Sequence, residues 1–206
     1  MQSGDEFNEK DACFITFQTV DWIDIFVRPV YKQVIVHTLN HFIESKGMIV
    51  YAWCLMTQHL HLLAQAKPGI NIADLQAEYR KFTTKKILEA IDTEPPARRD
   101  WMLNRFETSG KLLGLIKEYE VWQQCNEPIH FDLARIEVLL DQFDFIHQNP
   151  VRDKVVDMAG EYLYSSARDY SGMKGLVNVA KLPAIEQQLA AAETMSGNFF
   201  VKYIRN

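Results

Sequence analysis

The chain is short of the residues that mark specialised classes. Its three cysteines, Cys13, Cys54 and Cys125, are odd in number and scattered, with no pair at metal-knuckle spacing. A zinc ribbon and a disulfide framework are therefore not expected, and the thiols are read as buried and free. Nine glycines and seven prolines exclude collagen-like and proline-rich chains. There is no glycine-rich phosphate loop and no internal repeat. No apolar run approaches the ~20 residues that cross a bilayer. The opening stretch MQSGDEFNEKDA is polar and acidic, lacking the positive start and apolar run of a signal peptide. A soluble, cytoplasmic protein is expected. Positive charge is also scarce: the net charge is -5, and only residues 67–118, with ten Lys/Arg against eight Asp/Glu, lean basic. A nucleic-acid binder usually shows local positive charge, and here that footprint is thin.

What the chain does have is core. Its 206 residues are 48% hydrophobic and 12% aromatic, enough for one sizeable domain with extra elements. Residues 13–20 (CFITFQTV) alternate as a strand, and 21–29 read as a packed loop ending at Pro29. Residues 30–45 repeat at helical spacing behind that proline. MIVYAWCLM (48–56) and HLHLLAQA (59–66) read as a hairpin broken at Thr57-Gln58. Residues 70–91 form a long amphipathic helix with Asn71 as its cap. A second helix begins near Arg98 and carries Trp101, Met102 and Phe106. Residues 121–131 suggest a short strand. A helix capped by Asp132 runs to about His147, closed by Pro150. Beyond it come a loop and turn, a strand over 176–179 and a helix over 184–194. The order β-α-β-β-α fits an α+β sandwich with helices against an antiparallel sheet.

The sharpest local signal is His59-Leu60-His61. On a strand, residues i and i+2 share a face, so two imidazoles stand side by side. Such a pair grips a divalent ion when further ligands join it; the same spacing also suits structural histidines with satisfied partners.

The stretch YAWCLMTQHLHLL around this pair resembles the histidine strand of the REP-associated tyrosine transposases, within the IS200-like HUH-fold single-tyrosine transposases. FIHQNPVRDKVV (145–156) and EYLYSSARDYSG (161–172) resemble the family's next blocks in the right order. Val121-Trp122-Gln123-Gln124, Asp21-Trp22-Ile23-Asp24 and Arg80-Lys81-Phe82-Thr83 also look like family segments. The resemblance spans residues 13–178, leaving 1–12 as a polar tail and 179–206 as a C-terminal helical extension. It implies a ferredoxin-like sandwich with helices packed on one side of the sheet. It implies enzymes that cut and rejoin single-stranded DNA at hairpins, often as dimers. In these enzymes a Mg²⁺ or Mn²⁺ ion sits on two histidines and a polar side chain of the following helix, and a helix tyrosine attacks the phosphate.

Carried onto this chain, the resemblance makes His59, His61 and Asn149 the metal ligands. The nucleophile falls one helical turn before Asn149, at Phe145, which has no hydroxyl. Strand cleavage by the family's reaction is therefore expected to be impaired. Tyr79, Tyr119, Tyr162, Tyr164 and Tyr170 are the residues from which a stand-in would have to come. The DNA-binding residues expected are Arg80, Lys81, Lys85, Lys86, Arg98, Arg99, Arg152 and Lys154, with Trp122 stacking a base. His147 is expected at the surface near the helix end. Two alternatives remain at this level: an active metal-dependent nuclease using another nucleophile, and a non-catalytic DNA-binding or protein-interaction domain.

Overall fold

A computed structural model describes residues 11–112, 119–123, 128–133, 135–182 and 185. Four antiparallel strands form one sheet in the order β2-β3-β1-β4, with β1 Asp11–Gln18, β2 Met48–Leu55, β3 His59–Ala66 and β4 Ile129–Asp132. The helices are α1 Pro29–Ser45, α2 Ile72–Ile91, α3 Pro96–Leu112, α4 Ile136–Arg152 and a short α5 Ala167–Tyr170. The segment 20–27 holds two 3-10 turns, Val20–Trp22 and Ile25–Val27. Pro29 starts α1, where a missing N–H costs nothing. The Asn71 side chain caps α2 by accepting from the N–H groups of Ala73 (2.8 Å) and Asp74 (3.3 Å).

Both faces of the sheet are apolar, and that decides the layering. Ile15 and Phe17 of β1 and Leu60, Leu62 and Ala64 of β3 face a core shared with α1, α2 and Met102 and Phe106 of α3. The opposite parity, Ala12 of β1 and Leu63 of β3, packs with Leu139, Phe143 and Ile146 of α4. The antiparallel α+β class stands, but α4 covers the second face, where helices on one side were expected. Each of those three α4 side chains contributes about 1.5–3 kcal/mol by burial. In β2 the register shifts between Val50 and Ala52. Tyr51 and Ala52 therefore both face α4, while Trp53 returns to the α1–α2 side. This bulge resets the parity of the strand.

Three element boundaries differ from expectation. Pro150 lies inside α4. It forfeits only its own N–H bond, and the last turn closes through Val155 N–H to Pro150 C=O (2.8 Å) and Lys154 N–H to Val151 C=O (2.9 Å). That is a Schellman closure with Lys154 in the left-handed region at φ 58°. Asp132 ends β4, and Arg135 occupies the α4 N-cap position. Residues 176–179 form no strand; Asn40 instead bonds Leu176 C=O and Asn178 N–H through its side chain. Cys13 and Cys54 are buried thiols, with Cys13 Sγ 3.3 Å from His130 Nδ1, while Cys125 and most of the 184–194 stretch lie outside the described residues. Among the described residues no helix is long and apolar enough to cross a membrane.

Candidate metal and DNA site

The site is built on the α4 face of β1 and β3. His59 and His61 point to that face with ring centroids 4.6 Å apart. Antiparallel register sets Gln18 opposite His59 and Thr16 opposite His61. Thr16 Oγ1 lies 2.8 Å from His61 Nδ1. With Nδ1–H donating to that oxygen, Nε2 keeps its lone pair, which is how neighbouring groups aim a ligating histidine. The Phe14 ring stacks on His61 at 5.4 Å. Residue spacing on β1 therefore supplies Phe14, Thr16 and Gln18 to one patch. Sequence reading passed over Thr16 and Gln18; the signal available was two polar residues at i, i+2 on the strand facing the histidines.

Helix α4 delivers the other half. Phe145 presents its ring 5.3 Å from His61 and 5.9 Å from Phe14, and it is 38% exposed. Asn149, one turn later, comes close enough to His59 to favour its charged form, although no hydrogen bond of good geometry reaches either ring nitrogen. The Arg152 guanidinium lies 5.3 Å over the Phe145 ring and 3.6 Å from Asp144.

Electrostatics keep both imidazoles neutral. Burial, and secondarily the neighbouring His59, pushes His61 down to about 3. Burial also lowers His59, against the opposing pull of Asn149 and Asp153. The pair offers lone pairs rather than protons at neutral pH. Both ring nitrogens of His59 are buried with no hydrogen-bond partner. Among the described residues, no group of three or more His, Cys, Asp or Glu is arranged to hold a metal. A third protein ligand would thus have to come from another residue type.

Several expected contacts are relocated by the structure. Trp122, expected to stack a base, is fully buried against Phe17 and Phe26, and its Nε1–H donates to Thr83 Oγ1 (2.9 Å). No base reaches it, because the indole is part of the core. Arg80, Lys81, Lys85 and Lys86 sit on α2, which covers the sheet face opposite the histidines. Arg80 donates to the carbonyls of Trp122 (3.4 Å) and Gln123 (3.0 Å), so it ties the 120–123 segment to α2. Lys86 pairs with Glu89 and Arg99 with Asp100, whereas Lys81 and Lys85 are exposed. Arg98 lies 3.6 Å from the buried Glu94 carboxylate. Of the basic residues expected, only Arg152 and Lys154 lie on α4 or its closing turn.

Three of the five stand-in tyrosines are spent on the interior, whereas Tyr119 is exposed and Tyr164 half-buried. The Tyr162 hydroxyl donates to Leu55 C=O (2.8 Å) and that of Tyr170 to Tyr51 C=O (2.9 Å), while Tyr79 is fully buried.

His147 is a second departure from expectation. It is fully buried rather than at the surface, with its Nε2 2.7 Å from Ser166 Oγ and its ring 4.1 Å from Phe143. Its surroundings draw α4 onto β2, because Ser166 Oγ also accepts from Trp53 N–H (2.9 Å). Burial pushes His147 down to about 3. The folded state therefore binds this proton only far below the ordinary pKa of about 6.5, while the unfolded chain binds it from there downward. The contribution is complete above that value and is lost as pH falls towards 3. At pH 5 the expected loss is about 2 kcal/mol from this group. Urea midpoints at pH 7.5 and 5.0 check it: His147→Gln should flatten the slope by that amount. An unchanged slope would place the acid sensitivity elsewhere.

Residues 19–102 match the family model described as "Transposase IS200 like". The matched segment contains both histidines of β3 and ends within α3, before α4 begins. Among solved structures, a REP-associated tyrosine transposase bound to a REP hairpin is similar, with a TM-score of 0.55 at 15% identity over 89% of this chain and 96% of that one. That likeness is one of fold. No curated protein matches the chain significantly.

Proposed function

We propose that this protein binds single-stranded or hairpin DNA as a transposase-family protein, with a divalent-metal site on His59, His61 and Asn149 and with strand cleavage impaired at Phe145. The observation that carries the reading is the His59 ring, buried with two unpartnered nitrogens beside a second neutral imidazole and facing Asn149. Burying such a ring without a partner is costly, and a ligated ion removes the cost. Of the two ions the resemblance implies, Mn²⁺ matches a donor set of two neutral imidazole nitrogens and an amide oxygen better than Mg²⁺, which prefers an all-oxygen shell. A bound divalent ion would supply Lewis-acid polarisation of a phosphate oxygen.

The chain's own residues do the rest. Thr16 fixes the His61 ring. Asn149 completes the ligand set from a helix held down by Leu139, Phe143 and Ile146. Arg152, at the rim, offers a guanidinium to a phosphate once it leaves Asp144. Phe145 stands where the attacking hydroxyl would be and has none to give. The interior bonds of Tyr162 and Tyr170 favour this reading over a displaced tyrosine.

The test is direct. Manganese binding, followed by calorimetry and by electron paramagnetic resonance, is expected for the parent and should drop at least ~10-fold in His61→Ala and His59→Ala. Thr16→Val, which frees the ring without removing it, should cost about 10-fold or more. Hairpin DNA affinity should fall with rising salt, as phosphate contacts require. Parent protein that takes up neither manganese nor DNA would overturn the reading.

A further inference from the structure

We propose that Trp22 is a stacking platform for an unpaired nucleobase, an inference that rests on the DNA-binding reading above and extends it to a named contact. Trp22 is 61% exposed, whereas Trp53 and Trp122 are fully buried. Its backbone is unusual in the same place: Asp21 and Trp22 both take the left-handed conformation, at φ 51° and 55°. For a bulky residue that is an outlier, and two in succession cost free energy that glycine would not.

The reason for the turn lies on either side of it. Val20 and Ile23 are both buried, so the chain must reverse within two residues. Val20 N–H donates to Val121 C=O (2.9 Å) and Ile23 N–H to Val20 C=O (3.1 Å), which locks the reversal. The turn needs the conformation but not the indole. A tryptophan there exposes a large apolar ring and packs nothing fully away.

The placement points to a ligand. The same loop is strapped to the turn that precedes the histidines. Thr19 N–H donates to Gln58 C=O (2.9 Å), Thr19 Oγ1 donates to the same carbonyl (3.0 Å), and Phe26 N–H donates to Thr57 C=O (3.0 Å). The loop that carries Trp22 is thus tied to the turn that precedes β3. Beside it, Arg105 of α3 lies 3.5 Å from Asp21 with both side chains more than half exposed. Trp101, one turn earlier on that helix, is exposed too. Exposed indole rings with an arginine among them are what single-stranded nucleic acid uses, because every base has a stacking face.

The experiment uses the full chain and fluorescein-labelled DNA hairpins with unpaired flanks, read by anisotropy. Trp22→Ala should weaken binding about 10-fold or more, and Trp22→Phe should stay within about 3-fold of the parent. Trp22→Gly separates folding from stacking: it relieves the left-handed strain, so the thermal midpoint should hold or rise while affinity still falls. If Trp22→Ala and Trp22→Gly bind as the parent does, the platform is refuted and the DNA-binding reading stands. If the parent itself binds none of the hairpins, both fall together.

Discussion

Phe145→Tyr is expected to give the protein a covalent reaction with DNA that the parent lacks. With Mn²⁺ and single-stranded hairpin substrates, the variant should form a protein–DNA adduct that survives denaturation. The new Oη–phosphorus bond replaces the bond from phosphorus to the 3′ oxygen, which leaves as a free 3′-hydroxyl while the phenolic proton passes to solvent. Replacing a covalent nucleophile typically changes rates by about 10⁴-fold or more, so the contrast should be near all-or-none. The geometry supports the substitution. The Phe145 ring lies 5.3 Å from His61 and is partly open to solvent, so one hydroxyl is accommodated without repacking the core. Asn149 stands one turn away, beside His59. His61→Ala in the Phe145→Tyr background should abolish the adduct, which ties the reaction to the metal site. An adduct formed equally by the parent would show that another residue attacks, and would remove Phe145 from the nucleophile position.

The second large effect concerns folding. Glu94, in the turn between α2 and α3, has a fully buried side chain. Its carboxylate accepts from the Arg28 guanidinium and from the Tyr31 hydroxyl (2.7 Å), and Arg98 stands 3.6 Å away. The group joins the start of α1 to the α2–α3 turn. Glu94→Ala strips the partner from a buried phenol and from two guanidiniums that are part exposed. Removing one member of a buried pair costs about 3–5 kcal/mol, and the partial exposure of both arginines favours the lower figure. For a chain of this length, about 3 kcal/mol lowers the thermal midpoint by roughly 6–12 °C. Tyr31→Phe should cost only about 1 kcal/mol, the worth of one hydrogen bond. A Glu94→Ala midpoint within a degree or two of the parent would mean the cluster is incidental to stability.

Much of this was legible in the residues because it depends on period. Alternation marks β1 and β3, helical spacing marks α1 and α2, and Asn71 declares its own cap. The side-by-side placement of His59 and His61 follows from the two-residue repeat of a strand. The one-turn relation of Phe145 to Asn149 follows from the helix. The missing hydroxyl at position 145 needs no coordinates at all.

The tertiary structure decided whatever depends on which surface meets which. Sequence cannot tell a tryptophan that packs from one that stacks: Trp122 is drawn inside by Phe17 and Phe26, while the left-handed turn after Thr19 puts Trp22 outside. It cannot tell a free cation from a captured one, and Arg80 is held by the Trp122 and Gln123 carbonyls, more than forty residues away in the chain. His147 looks like a helix-end residue until α4 is laid across β2 and β3, where the face it shares with Phe143 becomes interior. The bulge at Tyr51 changes the parity of β2 in a way no repeat announces. Local periodicity fixes direction along an element, which is why the histidine pair and its helix partners could be read from the chain. Only packing fixes which neighbours fill the space around them, and that determined the unpartnered nitrogens of His59, the aiming bond from Thr16 and the exposed ring of Trp22.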